Sequence, residues 1–252
     1  MTCMKYSPVN SPAWYRITAP SLYEKASMRM LAHAKALASG EASEAIFITQ
    51  HKSVYTAGTS AREEDLLNPA GISTYRSGRG GQWTWHGPGQ LIIWPVLDLN
   101  ARRRDVRTYI YALEGWMIDV LKCFAVTGVR REGLPGIWIS RNDIGLPEKM
   151  DKILAVGVRI SKWVTMHGIA LNHEPDLTQY DGIIPCGVSK SRNEDHTSVD
   201  PINGAGDSSV QTGGVTSLAD LGLIITEAEL EMVVKDCFPK WFGEGAEMGR
   251  VK

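Results

Sequence analysis

A chain of 252 residues with a net charge of −1 is long enough for one large domain or two small ones, and it has no overall electrostatic attraction to nucleic acid. Hydrophobic residues make up 43% and charged residues 22%, as in an ordinary globular protein. No stretch approaches the roughly 20 apolar residues of a membrane span, and residues 1–19 lack the pattern of a secretory signal. We therefore expect a cytoplasmic protein that binds neither nucleic acid nor membrane.

Hydrophobic patterning predicts that helices and strands alternate along the first half of the chain. Residues 21–24 (Ser-Leu-Tyr-Glu) form a capping-box pattern, which opens a predicted helix that Gly40 ends. Short strands are predicted at residues 44–49 and 91–97, the second with an irregularity at its proline. Apolar residues recur every three or four positions from 106 to 124, which predicts an amphipathic helix.

The second half of the chain continues this mixture. Successive strands are predicted at residues 136–140, 153–160 and 163–171. A second capping box at residues 226–229 opens a last helix, which we expect to end before Pro239 because proline disfavours a helical residue before it. With antiparallel neighbours among the late strands, the predicted class is α/β (α+β): a single domain with a central mixed β-sheet flanked by helices.

Two polar segments interrupt the predicted elements. Residues 142–151 read as a hairpin-like connection. Residues 189–214 are rich in Ser, Asn, Asp and Gly and predict a long polar loop, either mobile or a lid. We expect residues 1–19 to form an N-terminal extension and residues 20–252 to form the folded domain.

One of the scattered cysteines stands in an unusual local context. Without clustering or a signal peptide, the four are predicted to be reduced thiols. Cys186 lies between Pro185 and Gly187, in a pattern typical of a tight turn that displays its side chain. The other three have structural interpretations, because Cys123 and Cys237 lie in or near predicted helices and Cys3 lies near the terminus.

A second dense segment is the run Arg-Gly-Gly-Gln-Trp-Thr-Trp-His-Gly-Pro-Gly-Gln at residues 79–90. It is too rich in glycine and polar side chains for a packed core element, and it predicts a wall along which a ligand lies. A thiol nucleophile beside such a wall indicates covalent chemistry on an elongated substrate.

A nucleophilic cysteine needs a partner that stabilises its thiolate, and three side chains are candidates. Lys152 opens an alternating apolar run, where a lysine is ordinarily a solvated charge at a strand end. His167 lies in a predicted strand, where a lone histidine is more often a hydrogen-bonded core residue. His86 precedes Gly-Pro-Gly and is the better candidate for contact with substrate.

Several common cofactor motifs are missing from the sequence. No two of the candidate His and Cys residues share a metal-ligand spacing, so no metal site is expected. Trp83 stands where a dinucleotide fingerprint would need its third glycine, and there is no Walker A pattern. We expect no cofactor.

The chain resembles the lipoyl(octanoyl) transferases, members of the biotin/lipoate ligase-like superfamily. The motifs that carry the resemblance occur in the family's order, between about residue 20 and about residue 235. They lie at residues 79–97, 152–160, 164–172, 184–187 and 214–218.

The resemblance implies a biotin/lipoate ligase-like fold in a catalytic domain at residues 20–252. It implies transfer of an octanoyl group from octanoyl-acyl-carrier protein to the acceptor lysine of lipoyl domains. The implied acceptors are the E2 subunits of 2-oxoacid dehydrogenases and the glycine cleavage H protein. By position, Cys186 matches the thioester nucleophile and Lys152 matches the lysine that lowers the thiol pKa. We expect a monomer.

The resemblance also assigns a set of residues to the substrate site, with His167 as a possible supporting residue. The substrate-contacting positions fall on Arg79, Gly80, Gly81, Gln82, Trp83, Thr84, Trp85, His86, Ala155, Val156, Gly157, Gly168, Ile169 and Ala170.

The chain departs from the family in two places. Trp83 and Trp85 stand where Val and Tyr are more usual, and we expect both to act as walls of the acyl tunnel. The connection between Cys186 and Gly214 is longer than in the family, which bears on acceptor docking or access to the site.

Three other functions and one mechanistic choice stay open at this point. The alternatives are an ATP-dependent lipoate–protein ligase, a cysteine-dependent acyl thioesterase and a non-catalytic acyl-binding module. Either Lys152 or His86 could take the proton from the acceptor lysine, and the sequence does not decide between them.

Overall fold

A computed structural model of the chain describes residues 11–184 and 211–243. The described residues form one large mixed β-sheet, a small three-stranded sheet and three α-helices. This arrangement confirms the predicted class, α/β (α+β), with a central mixed sheet flanked by helices. None of the described helices is long and apolar enough to cross a membrane.

The large sheet has the strand order β1-β2-β6-β10-β9-β8-β7, with β11 paired to β9 beside this path. Two pairs are parallel, β1 with β2 and β11 with β9, and the other neighbours are antiparallel. Its strands are β1 (Ala13–Arg16), β2 (Ala45–Thr49), β6 (Gln90–Val96), β7 (Val129–Arg131), β8 (Leu134–Arg141), β9 (Leu146–Ser161), β10 (Val164–Asn172) and β11 (Gln211–Val215).

The small sheet has the order β4-β3-β5, formed by β4 (Ser73–Arg76), β3 (Val54–Ala57) and β5 (Trp83–His86). The sequence-based expectation that the whole 79–90 run is unpacked was wrong for β5. Trp83, Trp85 and His86 are buried there, because the glycines are confined to the turns on either side of the strand. The tryptophans pack in a core cluster with Tyr55 and Tyr180.

Three helices cover the two faces of the large sheet: α1 (Tyr23–Ala38), α2 (Val106–Cys123) and α3 (Glu227–Phe242). The alternation of side chains along β6 separates the two layers of core. Leu91 and Ile93 belong to the core under α2 and α3, whereas Ile92, Trp94 and Val96 belong to the core under α1. Both faces of β6 are therefore buried, as its continuous apolar sequence indicated.

Strand β9 changes partners on one of its edges along its length. Its first half pairs with β11, where Val215 lies opposite Lys152. Its second half pairs with β10, from Leu154 opposite Leu171 to Ser161 opposite Val164. Lys152 therefore lies next to the point where one partner strand replaces the other.

Most predicted elements agree with the observed ones to within one or two residues at their ends, as for β2, β6, β10 and α2. The connection predicted at 142–151 was wrong from Leu146 onward, because those residues already pair in β9. Residues 211–214 of the predicted polar loop are strand β11, and residues 189–210 lie outside the described part of the chain. Strand β1 lies within the segment predicted as an N-terminal extension.

The capping box predicted at Ser21 was wrong. Helix α1 has Leu22 as its N-cap, without a capping side chain. The Ser21 hydroxyl instead contacts Thr49 Oγ1 at 3.0 Å and donates to the Gln50 carbonyl at 3.2 Å. The same hydroxyl cannot serve both roles, so Ser21 ties the chain to the end of β2 and leaves the helix uncapped.

The expected end of α3 before Pro239 was also wrong, because the helix continues to Phe242. Proline removes one backbone hydrogen bond from a helix interior. Phe238 and Phe242 stack with ring centroids 5.1 Å apart, and both contact Trp116 of α2 edge-on. Burial of these rings offsets the lost hydrogen bond, since each aromatic side chain buries a large apolar area.

The irregularity predicted at the proline of β6 is confirmed. The ladder between β6 and β10 ends at Ile93 opposite Ile169, and the same register would place Pro95 opposite His167. Proline has no N–H to donate to the ladder. His167 takes a left-handed backbone conformation (φ 57°), and its N–H donates to the Met30 sulfur at 2.9 Å.

The predicted capping box at Thr226 is confirmed in both directions. The Glu229 N–H donates to Thr226 Oγ1 at 3.2 Å, and the Thr226 N–H donates to the Glu229 carboxylate at 2.8 Å.

Thr226→Ala is expected to lower the free energy of unfolding by about 1 kcal/mol, because an N–H of α3 loses its acceptor. Urea denaturation measures this change. Thr226→Ser, which keeps the hydroxyl, is the control, and equal stability of both variants would contradict the capping role.

Candidate active site

A cavity of about 420 Å³ opens between the small sheet, β9 and β10. All the described residues predicted for the site line it, with one exception. They are Arg79, Gly80, Gly81, Gln82, Trp83, Thr84, His86, Lys152, Ala155, Val156, Gly157, His167, Gly168, Ile169 and Ala170. Residues that the sequence did not point to, such as Tyr23 on α1 and Leu134 on β8, complete the wall.

The exception is Trp85, which was expected to be a wall of the acyl tunnel. Its side chain is 1% exposed and faces away from the cavity, with its ring centroid 5.6 Å from that of Tyr180. A side chain at Gly87 would collide with the Trp85 ring. Because side chains alternate along a strand, Thr84 contributes to the cavity and Trp85 to the core behind β5.

The glycines of the site allow a loop to lie directly on the sheet. Gly80 donates its N–H to the Val158 carbonyl of β9 at 2.9 Å. A Cβ atom at Gly157 would come within 2.9 Å of Arg79 Cδ, so only glycine leaves room for this approach. Gly81 has a φ of +87°, a conformation that other residues rarely adopt.

Arg79 is a buried guanidinium that holds this loop in place. Its Nη2 donates to the carbonyls of Thr56 at 2.8 Å and Gln82 at 3.0 Å, and its Nη1 donates to the Gly80 carbonyl at 2.9 Å. No acidic side chain within the described residues forms an ion pair with it. Burial lowers the pKa of Arg79 from its ordinary value. Arg79 therefore joins β3 to the loop and places a positive charge at the cavity wall.

Lys152 is not the solvated strand-end charge that its sequence context suggests. Strand β9 begins at Leu146, so Lys152 lies inside it, with its side chain 9% exposed. Its Nζ donates to the Pro135 carbonyl at 3.0 Å and lies 4.6 Å from the ring centroid of Trp138. A carbonyl dipole and an aromatic face both attract an ammonium group. The ammonium faces the cavity and forms no ion pair with a carboxylate of the described residues, although the charge of Glu114 acts on it.

Cys186, the predicted nucleophile, lies outside the described residues. The chain that leads to it is described up to Ile184, whose N–H donates to the Asp65 carbonyl at 2.8 Å. Tyr180, in the 3₁₀ helix Leu177–Gly182, lines the cavity. Tyr55 Oη donates to the Gln179 carbonyl at 2.6 Å, which anchors the same turn to the small sheet.

Two buried histidines, His86 and His167, line the cavity, and a third, His51, lies beside His86 outside the wall and was missed by sequence reasoning. The ring centroids of His51 and His86 are 5.9 Å apart, and His167 Nδ1 lies 3.5 Å from Tyr23 Oη. Burial lowers the pKa of His51 and of His167 to about 4, with the charges of Arg79 and Arg159 adding to the effect at His167. Burial also holds the pKa of His86 well below 6.5. All three rings are neutral at pH 7.

A polar network behind His86 also escaped the sequence analysis, because its members are far apart in the chain. His86 Nδ1 lies 2.6 Å from Gln90 Oε1. Gln90 Nε2 donates to Asn172 Oδ1 at 2.9 Å and to Tyr180 Oη at 2.8 Å. Within residues 11–184 and 211–243, no group of three or more His, Cys, Asp or Glu side chains is placed to hold a metal ion.

The neutral histidines make stability depend on pH. An unfolded histidine titrates near 6.5, whereas His51 and His167 titrate near 4 in the folded chain. The unfolded state therefore binds protons first as pH falls, and the free energy of unfolding is expected to decrease from about pH 6.5 towards pH 4. Urea denaturation at pH 7 and at pH 5 measures this decrease.

His51→Gln is the variant that tests the cause of this pH dependence, since His51 is not part of the cavity wall. The variant is expected to lose less stability than the wild type between the two pH values. A variant as sensitive to acid as the wild type would contradict a contribution from His51.

Comparisons with known proteins identify the family to which the chain belongs. The family described as lipoyl protein ligase A/B catalytic domain matches residues 23–233. Octanoyltransferase from Jannaschia sp. (strain CCS1) is 44% identical over 234 residues, covering 91% of this chain and 98% of its own. Octanoyltransferase from Parvibaculum lavamentivorans is 44% identical over 237 residues, covering 94% and 95%.

Solved structures show the same fold at low sequence identity. A bipartite lipoate protein ligase from Thermoplasma acidophilum has a TM-score of 0.62 at 13% identity, with 91% of this chain and 83% of that chain covered. A lipoate-protein ligase A bound with ATP has a TM-score of 0.61 at 14% identity, with 91% and 85% covered. The chain thus belongs to the lipoyl protein ligase A/B catalytic domain family and, within it, to the octanoyltransferases, which are acyltransferase enzymes.

Proposed function

We propose that the protein transfers an octanoyl group from octanoyl-acyl-carrier protein, through a thioester on Cys186, to the acceptor lysine of lipoyl domains. The acceptors would be E2 subunits of 2-oxoacid dehydrogenases and the glycine cleavage H protein, and the enzyme would act as a cytoplasmic monomer. The observation that carries the proposal is the buried ammonium of Lys152 facing the cavity, in a chain of the octanoyltransferase family.

The cavity suits a flexible acyl chain. Its floor is made of facing small and branched residues on paired strands, with Ala155 opposite Ala170 and Val156 opposite Ile169. Each buried CH₂ contributes about 0.8 kcal/mol, so the six methylenes of an octanoyl group supply about 5 kcal/mol of binding energy. An apolar slot of this kind binds the substrate by its tail and leaves the thioester to the polar end.

In the first step, the Cys186 thiolate attacks the octanoyl thioester carbonyl and the carrier thiol leaves. The thiolate is the reactive form of cysteine, and a nearby cation lowers the thiol pKa. Lys152 is suited to this role because its ammonium contacts a carbonyl and an aromatic ring and forms no ion pair with a carboxylate of the described residues. Exchange between thioesters is close to isoenergetic, so this step needs no ATP.

In the second step, the neutral amine of the acceptor lysine attacks the enzyme thioester. An amide forms and the Cys186 thiolate leaves, again beside the Lys152 ammonium. Conversion of a thioester into an amide is downhill, which makes the transfer effectively irreversible.

The first test is intact-mass spectrometry of the protein mixed with octanoyl-acyl-carrier protein. The wild type is expected to gain the mass of one octanoyl group, and Cys186→Ala is expected to gain none and to lose transferase activity. Cys123→Ala is the matched control, since Cys123 is an exposed free thiol on α2, away from the cavity.

Addition of a lipoyl domain as acceptor then distinguishes the transferase from the three alternative functions. Loss of the adduct upon addition of a lipoyl domain, with octanoyl-lysine formed, supports the transferase. Release of free octanoate instead would indicate a thioesterase. A product that forms only with ATP and octanoate, without an adduct, would indicate a ligase, and binding without any product would indicate an acyl-binding module.

Lys152→Met removes the charge while keeping the length of the side chain. The rate of acyl-enzyme formation is expected to fall, and its dependence on pH is expected to shift upward, because the thiol pKa rises without a neighbouring cation. Rapid-quench mass spectrometry across a pH series measures both effects. Lys149→Met is the control, since Lys149 is on the same strand but outside the cavity. An unchanged pH profile in Lys152→Met would contradict the partnership with Cys186.

A further inference from the structure

The polar network behind His86 determines which ring nitrogen carries the proton. Two backbone carbonyls, which can only accept, fix the orientation of the amides. Asn172 Nδ2 donates to the Thr216 carbonyl at 2.9 Å, so Asn172 presents its oxygen to Gln90. Gln90 Nε2 lies 3.4 Å from the Trp85 carbonyl and 2.9 Å from Asn172 Oδ1, so Gln90 presents its own oxygen to His86.

A neutral imidazole has one N–H and one lone pair, and the network assigns both. Gln90 Oε1 cannot donate, so the contact of 2.6 Å requires that His86 Nδ1 carries the hydrogen. His86 is buried and neutral, which leaves its Nε2 as an unprotonated acceptor. The ring lines the cavity that Lys152 also faces.

We propose that His86 Nε2 is the base that takes the proton from the attacking amine in the second step, and that Gln90 and Asn172 are positioning residues that hold it in this tautomer. This inference rests on the proposed function, because it needs an amine that attacks an enzyme thioester. It assigns the opposite role to Lys152, whose Nζ is a donor in its contact with Pro135. Two groups in different protonation states at one site divide the acid and base tasks between them.

The second step balances in bonds, electrons and protons. The amine nitrogen forms a C–N bond with the octanoyl carbonyl carbon, and the C–S bond to Cys186 breaks. The electron pair of the C–S bond leaves as the Cys186 thiolate, which the Lys152 ammonium stabilises. The amine proton moves to His86 Nε2, and the resulting imidazolium returns it to solvent when the product leaves. No oxidant or further reactant is required.

The first step gives His86 no comparable task. A thiolate attacks there and a thiolate leaves, so no amine proton has to be removed. The inference therefore predicts that the two half-reactions respond differently to substitution of His86, which a purely structural role would not produce.

The groups that face His86 explain why it stays neutral before the amine arrives. Tyr23 of α1 stacks on it with centroids 5.8 Å apart, and the His51 ring lies 5.9 Å away. Burial is the main cause that disfavours the imidazolium, and the nearby His51, Arg79 and His167 add to it, whereas the hydrogen bond with Gln90 acts in the opposite direction. The base is consequently ready at neutral pH and is protonated only in acid.

The test measures each half-reaction separately in His86→Gln, which keeps a polar side chain but cannot take up a proton. The rate of transfer from preformed octanoyl-enzyme to a lipoyl domain is expected to fall about 100-fold, the usual contribution of a general base. The rate of acyl-enzyme formation is expected to fall much less, because no amine proton is removed in that step. His51→Gln, which changes a neighbouring buried histidine outside the cavity wall, is the matched control for packing.

A second variant, Gln90→Glu, gives a readout in pH. A carboxylate at position 90 still accepts from His86 Nδ1 but stabilises the imidazolium, so the pKa of His86 rises. In the pH profile of the transfer rate, the acidic limb is expected to move to higher pH. The transfer rate at alkaline pH is expected to remain near the wild-type value. Thermal unfolding confirms that each variant is folded, and His86→Gln decides the question if Gln90→Glu does not fold.

The outcomes distinguish this inference from the proposed function. If the wild type forms no adduct or transfers no octanoyl group, both are wrong. If the wild type does both and His86→Gln transfers at the wild-type rate, only the role of His86 is overturned. Equal losses in both half-reactions would also overturn it, since they would indicate packing or binding.

Discussion

The site depends on the way in which β9 pairs with two different strands. Its second half pairs with β10 and provides the floor on which the acyl chain would lie, whereas its first half pairs with β11. Lys152 is next to this change of partner, opposite Trp138 on one edge and Val215 on the other. The Lys152 side chain projects out of the plane of the sheet at this position and lines the cavity.

Electrostatics in the cavity follow from burial combined with the absence of acidic partners in the described part of the chain. Arg79 and Lys152 are cations held by carbonyl oxygens and an aromatic face, and neither forms an ion pair with a carboxylate of the described residues, although the charge of Glu114 acts on Lys152. Burial, together with the charge of Arg79, keeps His86 and His167 neutral. Cationic donors and neutral bases thus coexist within one cavity, an arrangement suited to a reaction in which a thiolate is formed and an amine loses a proton.

Local sequence patterns predicted the elements whose causes are local. The apolar spacing of α2 and the capping box at Thr226 need no information beyond a few neighbouring residues, and both are present. The same pattern at Ser21 does not form a capping box, because the Ser21 hydroxyl contacts Thr49 of β2, which is distant in the sequence. Pro239 lies inside α3 because ring packing against Trp116 outweighs one lost hydrogen bond. Tertiary contacts overrode local preference in each failure.

The candidate site divides in the same way. The motif positions could be taken from sequence because they are contiguous, and all but Trp85 among those described line the cavity. The burial of Lys152 and the network through Gln90 and Asn172 could not be predicted from the sequence, because the contacts involved join residues of separate strands. His51 had no signal in the sequence, since it gains its place only when the end of β2 meets α1.

The proline in β6 has a consequence for how the cavity behaves without a ligand. Beyond Ile93, β6 has no N–H at Pro95 with which to join β10, and the N–H of His167 is already engaged by Met30. The two strands rejoin further along, where the Thr165 N–H donates to the Leu97 carbonyl at 3.0 Å, so the ladder is interrupted only around Pro95. Because proline lacks the N–H whether or not a ligand is bound, this interruption beside His167 does not have to be created when an acyl chain enters the cavity.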